Sequence, residues 1–298
     1  MAIHIPVLKK EVLNYLNPKE NENFIDATIG EMGHSLGILE RNKPNGKVLG
    51  IELDPEIIER DKEIIKEKRL ERRIILVNDS YVHLKEIVER NNFQSVKGIL
   101  FDLGISSWHL EQSERGFSFK NNEFLDMRFN PQENRVKAEE IINEWTEEEL
   151  EKIFREYGEE KFSKRIAKKI CQIRQKERIK TTLQLVEVVR KAIPVPFRRQ
   201  KIHFATRVFQ ALRIAVNQEL KNLEDVLPQA LSVLEKGGKI VIISFHSLED
   251  RIVKNFFKNK AKKGLLEILT NKPITASLEE IQINPRARSA KLRAAVKI

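Results

Sequence analysis

Two glycines and three carboxylates at what read as strand ends carry most of the chemistry this chain could do. Phe24-Ile25-Asp26 is a short apolar run closing on an acid, and it passes into Ala27-Thr28-Ile29-Gly30-Glu31-Met32-Gly33-His34-Ser35. A second apolar run, Val48-Leu49-Gly50-Ile51, closes on Glu52. Strand, glycine turn, helix, strand and acid is the order of a nucleotide-type ligand site at the carboxyl edge of a parallel sheet. The glycines let the backbone approach the ligand, and an acid about 20 residues on can accept from both ribose hydroxyls. Gly30-x-x-Gly33 alone would mean little, because glycines near a strand end are often only turn residues.

The acid also separates ligand classes. Glu52 opposes a ribose 2′-phosphate and disfavours NADP. NAD remains open, but a pyrophosphate needs the closer backbone approach of G-x-G-x-x-G, which is missing here. A phosphate-free adenosine ligand such as S-adenosylmethionine (SAM) suits the looser turn.

Two further strand ends bear polar text. Asp102-Leu103-Gly104-Ile105-Ser106-Ser107 follows a fourth strand, and Ser244-Phe245-His246-Ser247-Leu248-Glu249-Asp250-Arg251 follows a fifth. The second invites a hydrolase reading. There is no G-x-S-x-G elbow, however, and Ser247, Glu249 and Asp250 suit a helix start better than a triad. His246 has too few ligand-type neighbours in sequence to argue for a metal, so none is expected.

The elements that must position these residues follow from periodicity. Ile74 to Val77 and Val96 to Asp102 read as the third and fourth strands, with helical patterns at Ile57 to Lys68 and Ser80 to Asn91 between strands. Such alternation specifies a parallel sheet with crossover helices. The text then turns helical from Ala138 to Ala192. Leu150, Ile153, Phe154 and Tyr157 make one stripe, Phe162, Ile166, Ile170 and Ile173 another, and Pro194-Val195-Pro196 breaks the last helix. A helix from Asn217 to Leu234 leads into strand text at Gly237 to Phe245. A helix from Leu248 to Asn259 then precedes two strand candidates, Leu265 to Leu269 and Ala290 to Lys297. One Rossmann-like sheet domain, residues 1–107 and 211–298, interrupted by a helical insertion at 108–210, is the economical arrangement.

The charge is unevenly placed. The 298 residues carry a net +10, yet Arg155 to Ala215 holds 17 Lys/Arg against 5 Glu, a surplus of +12 that leaves the rest at −2. Short charge runs are usually solvated helix faces. A run of about 60 residues nearly free of counter-charge fits a polyanion partner instead, with Lys164, Arg165, Lys168, Lys169, Arg198, Arg199 and Arg207 as phosphate contacts. Cys171 is the only cysteine, which excludes an internal disulfide or a cysteine-based metal cluster. No apolar stretch approaches membrane-spanning length and no leader is visible, so no membrane partner and a cytoplasmic location are expected.

The words of this sequence resemble those of the bacterial 16S ribosomal RNA (cytosine-N4)-methyltransferase family, known as RsmH or MraW. They are His4-Ile5-Pro6-Val7-Leu8, the Asp26 to Ser35 loop, Asp102 to Ser107, Arg115-Gly116-Phe117-Ser118-Phe119, Leu125-Asp126-Met127-Arg128 and Tyr157-Gly158-Glu159-Glu160. Ala205 to Ile214, Ser244 to Arg251 and Arg286 to Arg293 complete the set, which spans almost the whole chain. The resemblance implies a class I SAM-dependent methyltransferase sheet with an inserted helical domain. It also implies N4-methylation of a cytidine, position 1402 in the usual numbering, in the small-subunit decoding region. The partner it implies is 16S rRNA, within a small ribosomal subunit or its precursor, and a homodimer is left open. A SAM-dependent enzyme acting on protein or a small metabolite is the alternative.

The resemblance places the SAM contacts on Met32-Gly33-His34, Glu52, Tyr81, Asp102 and His109, and the glycine turn read above adds Gly30. Met32 stands where the family usually has glycine and so calls for an ordinary backbone angle. Glu52 replaces aspartate with a longer arm, and His109 replaces glutamine. Phe204 stands for the proline usually found after His203. Cytosine N4 is a poor nucleophile, because its lone pair is delocalised into the ring. The enzyme must therefore hold it in line with the methyl and accept a proton as the bond forms. Asp102 is the expected catalytic carboxylate, binding the SAM amino group or accepting from N4, with Ser106, Ser107, His246 and Ser247 as candidates for gripping the base. Helix capping is the competing role for those four.

Overall fold

A computed structural model describes residues 5–198 and 202–298. His4 of the opening motif and Arg199 of the basic set lie outside them. The chain divides into two compact units, residues 1–104 with 220–298, and 105–219.

The first unit is a seven-stranded sheet in the order β3-β2-β1-β4-β5-β7-β6. Its strands are β1 Asn23–Asp26, β2 Val48–Glu52, β3 Ile74–Asn78, β4 Val96–Asp102, β5 Leu234–Ser244, β6 Leu266–Ile268 and β7 Lys291–Lys297. The first five are parallel, whereas β7 runs antiparallel between β5 and β6. The chain order reverses at β1, which pairs with both β2 and β4. Ligands in open α/β sheets bind outside the carboxyl ends at such a switch. The strands read as near-continuous apolar runs because both faces are covered. Ile25, Leu49, Ile51 and Ile99 bury on one face, and Phe24, Val48, Leu100 and Val241 on the other.

Four helices precede β4: α1 Lys9–Leu16, α2 Gly33–Arg41, α3 Pro55–Glu67 and α4 Leu84–Arg90. The third begins by local chemistry. Asp54 accepts from Glu56 N at 2.9 Å as its N-cap, with Pro55 at the first helical position.

The second unit is helical: α5 Ser107–Glu111, α6 Ala138–Glu144, α7 Glu147–Glu156, α8 Ser163–Arg174, α9 Thr182–Ala192 and α10 Thr206–Asn217. The two expected stripes meet its core, with Leu150, Ile153, Phe154, Ile166 and Ile170 buried together. Thr146 and Thr181 open α7 and α9 as capping boxes with Glu149 and Gln184. This unit extends from 105 to 219 rather than 108 to 210. The reason is α10, whose Val208, Phe209, Ala211, Leu212 and Val216 belong to the helical core. Asn217 at its end donates to Met127 O at 2.7 Å and accepts from Phe129 N at 2.9 Å.

Gln218, at φ 51°, ends α10 before α11 Glu219–Val233. The helix α12 Ser247–Lys262 then precedes β6, and α13 Leu278–Ile283 precedes β7. Among the described residues no helix is long and apolar enough to cross a membrane.

Candidate active site

The carboxyl ends of β1, β2 and β4 gather the predicted acids. Beyond β1 the chain keeps bonding to both neighbours: Ala27 N donates to Leu100 O at 2.9 Å and Ile29 N to Ile51 O at 3.0 Å. It then turns sharply, with Met32 N donating to Ile29 O at 2.9 Å. Gly30 takes φ 49° in that turn. Met32 takes φ 62°, which corrects the expectation of an ordinary angle there. A left-handed residue with a side chain costs roughly 1–2 kcal/mol. The Met32 side chain is fully buried with Leu8, Val12 and Ile29, and that apolar burial offsets the cost.

Glu52 ends β2 beneath this turn. Its Oε2 accepts from Gly30 N at 3.2 Å and its Oε1 from Asp54 N at 2.9 Å. A carboxylate offers about four lone-pair sites, so Glu52 keeps acceptor capacity for a further donor. Burial pushes this carboxyl up to about 7, against the lowering effect of the Asp54 and Gly30 amides.

Asp102 ends β4, and its backbone N–H donates to Thr28 Oγ1 at 2.7 Å. Its Oδ2 lies 3.5 Å from His34 Nε2. Both ring nitrogens of His34 are buried and make no hydrogen bond among the described residues. Buried polar atoms are nearly always partnered, so an orphan pair beside a carboxylate marks room for a polar ligand group. Behind them Asp26 accepts from Ser35 Oγ at 2.6 Å, and burial raises its pKa. The turn after β3 adds Tyr81, which packs edge-on against Phe101 at 6.0 Å.

The strand β5 lies parallel beside β4, with Leu103 N donating to Ile243 O at 3.0 Å, so the His246 turn follows the neighbouring strand end. His246 is the N-cap of α12. Its Nδ1 accepts from Glu249 N at 3.4 Å, while Glu249 Oε2 accepts from Phe245 N at 2.8 Å and His246 N at 3.3 Å. The capping role expected of Ser247 thus falls to His246, and Ser247 is the first helical residue.

In the helical unit Ser106 caps α5. Its Oγ accepts from His109 N at 3.2 Å and lies 2.7 Å from His109 Nδ1. Ser107 opens the helix. The His109 ring is buried edge-on against Phe117 at 5.0 Å and Phe129 at 4.9 Å. Lys164, Arg165 and Lys168 project from α8 into solvent, and Lys169 is half-buried. Arg198 Nε donates to Ile193 O at 2.9 Å, and Arg207 Nη1 donates to Glu159 O at 2.8 Å.

The sequence profile of the MraW methylase family matches residues 1–298. The chain belongs to the MraW methylase family. It is 48% identical over 293 residues to the ribosomal RNA small subunit methyltransferase H of Sulfurihydrogenibium sp. (strain YO3AOP1), covering 98% of each chain. With the protein of the same name from Persephonella marina it shares 44% over 298 residues, covering 100% of both. A solved rRNA methylase from Streptococcus thermophilus superposes with a TM-score of 0.47 at 10% identity, covering 99% of each chain.

This MraW-family methylase draws its methyl group from SAM. The residues present fit that donor. Glu52 has acceptor capacity for a ribose, and the orphan nitrogens of His34 beside Asp102 suit an amino-acid head that carries both charges.

Three residues that shape the site went unassigned in the sequence. Thr28 ties the turn to β4. Asp79 holds the turn after β3 by accepting from Ser80 N and Arg90 and pairing with His83. Asp61 of α3 is 1% exposed, with Oδ2 unpartnered among the described residues. An acid inside an apolar helical stripe was the available signal for Asp61, with Ile57, Ile58 and Ile65 buried around it.

Proposed function

We propose that this methylase transfers a methyl group from SAM to N4 of a cytidine in the decoding region of 16S rRNA, position 1402, in the cytoplasm. The Glu52 carboxylate bound by the glycine turn is the observation that carries the donor site. The identity shared with ribosomal RNA small subunit methyltransferase H proteins over the whole chain supports the rRNA substrate.

SAM, when bound, supplies a methyl activated by a sulfonium. Glu52 accepts the ribose hydroxyls, and Asp102 holds the donor's ammonium at the end of β4. His34 lies beside Asp102 and supplies ring nitrogens to the same amino-acid head. As N4 gains the methyl it must release a proton, and Asp102 is the carboxylate at that strand end able to receive it. The cations of α8, with Arg198 and Arg207, bind RNA phosphates. Arg198 Nε and Arg207 Nη1 donate to backbone carbonyls, and a guanidinium with five N–H donors keeps others for a phosphate.

Transfer of labelled methyl from SAM to naked 16S rRNA, assembled small subunits and total protein tests this reading. Digestion to nucleosides should place the label in N4-methylcytidine from one of the RNA substrates. Label in protein alone, or at a ring carbon, overturns it.

A further inference from the structure

The segment 5–8 packs against the end of the glycine turn, where Gly33 opens α2. A Cβ on Gly33 would stand 3.0 Å from Cβ and Cγ of Pro6, so Gly33 is where the segment seats. Val7 and Leu8 are buried in the same cluster as Met32. Leu8 takes φ 53°, a left-handed angle that a bulky side chain adopts only when its surroundings enforce it.

The enforcement comes from the far end of the chain. Leu8 is the N-cap of α1 and its side chain makes no capping bond, while its N–H donates to Glu280 Oε1 at 2.7 Å across 272 positions. Asn284 Nδ2 donates to Ile5 O at 2.9 Å. Ser277 Oγ accepts from Glu280 N at 3.1 Å, which fixes the helical turn presenting Glu280. Met32 in turn caps α2 with no side-chain hydrogen bond of its own. Its strained angle rests on packing, and the packing includes the segment that α13 clamps.

We propose that residues 5–8 are a strap backing the methyl-donor turn, and that Glu280 and Asn284 are positioning residues for SAM binding. The proposal rests on the reading of Gly30 to Gly33 as the donor turn. With the strap loose, Leu8 and Met32 relax from their left-handed angles and the Gly30 amide leaves Glu52. The donor's adenosine then loses its preformed seat, while groups acting on the acceptor base are untouched.

Calorimetric titration of the full-length chain with SAM, together with steady-state kinetics on 16S rRNA, tests this. Glu280→Ala should raise Kd and KM for SAM about 3–10-fold, as expected when a buried amide loses a charged acceptor. The kcat at saturating SAM should hold. Glu280→Gln keeps an acceptor for Leu8 N and should restore most of the affinity. Asn284→Asp keeps the oxygen that accepts from Arg286 N at 3.3 Å but loses the donor to Ile5 O, and should raise Kd about twofold or more. Glu52→Ala separates the two readings. If it weakens SAM binding while Glu280→Ala and Asn284→Asp do not, the strap is overturned. If the strap variants weaken binding and Glu52→Ala does not, the Glu52 reading fails and the strap stands. A fall in kcat with unchanged KM for SAM, or no rescue by glutamine, also overturns the strap.

Discussion

The backbone N–H of Gly30 donates to Glu52 Oε2 at 3.2 Å, so one hydrogen bond couples the glycine turn to the acid that ends β2. The turn therefore does more than give a ligand room. It holds the carboxylate proposed to accept from the donor's ribose, and burial keeps that carboxylate near the middle of its titration at neutral pH.

SAM affinity should consequently depend on pH through Glu52. Its carboxyl titrates at about 7, and the ionised form is the better acceptor for two hydroxyls. The ionised fraction rises as pH climbs from 6 to 8, so Kd should fall over that window by up to about tenfold and then level. Glu52→Gln should bind more weakly and lose the slope, and Glu52→Ala should weaken binding at least tenfold. Calorimetry across the window checks both. A Kd that rises with pH between 6 and 7.5 would contradict the assignment.

Asp102→Asn separates two roles for one carboxylate. If Asp102 holds the SAM ammonium, SAM binding and turnover should weaken together. If it receives the N4 proton, binding should persist while single-turnover methylation drops by about 10²–10⁴-fold. The binding defect is the expected result, because His34 lies 3.5 Å from Oδ2 and the two groups together suit the amino-acid head proposed to bind there. Normal binding with a normal single-turnover rate would remove Asp102 from both.

How far such a site can be read from sequence depends on the range of the interaction. Asp26, Glu52 and Asp102 were legible because each closes an apolar run, and strand ends in a parallel sheet share one edge. The stripes of α7 and α8 were legible for a similar reason, since helical period fixes which face is buried. Met32 was misread because backbone preference is local, whereas its left-handed angle is held by a buried side chain and a strap folded from elsewhere. The Glu280 bond to Leu8 spans 272 positions, and no local pattern signals it. Helix capping was legible for the His246-Ser247 turn, and the structure gives it to His246, with Ser247 one position late.

RNA affinity should fall steeply with salt if the cations of α8 meet phosphates. Lys164, Arg165 and Lys168 are exposed and have no ion pair among the described residues. Replacing Lys164 and Lys168 by glutamine should lower the log–log slope by roughly 1.5 and leave SAM binding unchanged. Arg207→Gln should cost one further unit or less, because its guanidinium already donates to Glu159 O at 2.8 Å. Filter binding at several salt concentrations reads these slopes. An unchanged slope in the double variant would return the segment to a solvated surface.

Asp61 should make the fold less stable as pH rises. Burial, with Glu52, Asp26 and Glu31 nearby, pushes its carboxyl up to about 9 from an ordinary 3.8. Between those values the folded chain holds a proton that the unfolded chain releases, so unfolding free energy falls as pH climbs through the window. Asn at this position is neutral throughout and is expected to remove that fall. At pH 5 the variant's lead should be small, because the unfolded parent ionises only from about 3.8 upward while the folded parent stays protonated. Between pH 5 and 8.5 that lead should grow by roughly 10 °C or more, at about 1.4 kcal/mol per pH unit and about 2–4 °C for each kcal/mol in a chain of this size. Part of the upward push comes from Glu52, so the gain from Asp61→Asn should shrink in a Glu52→Gln background. Thermal melts of the four proteins at pH 5, 7 and 8.5 decide the point. A stability difference that stays constant across pH would mean that Asp61 is ionised in the fold, with a counter-charge holding it there.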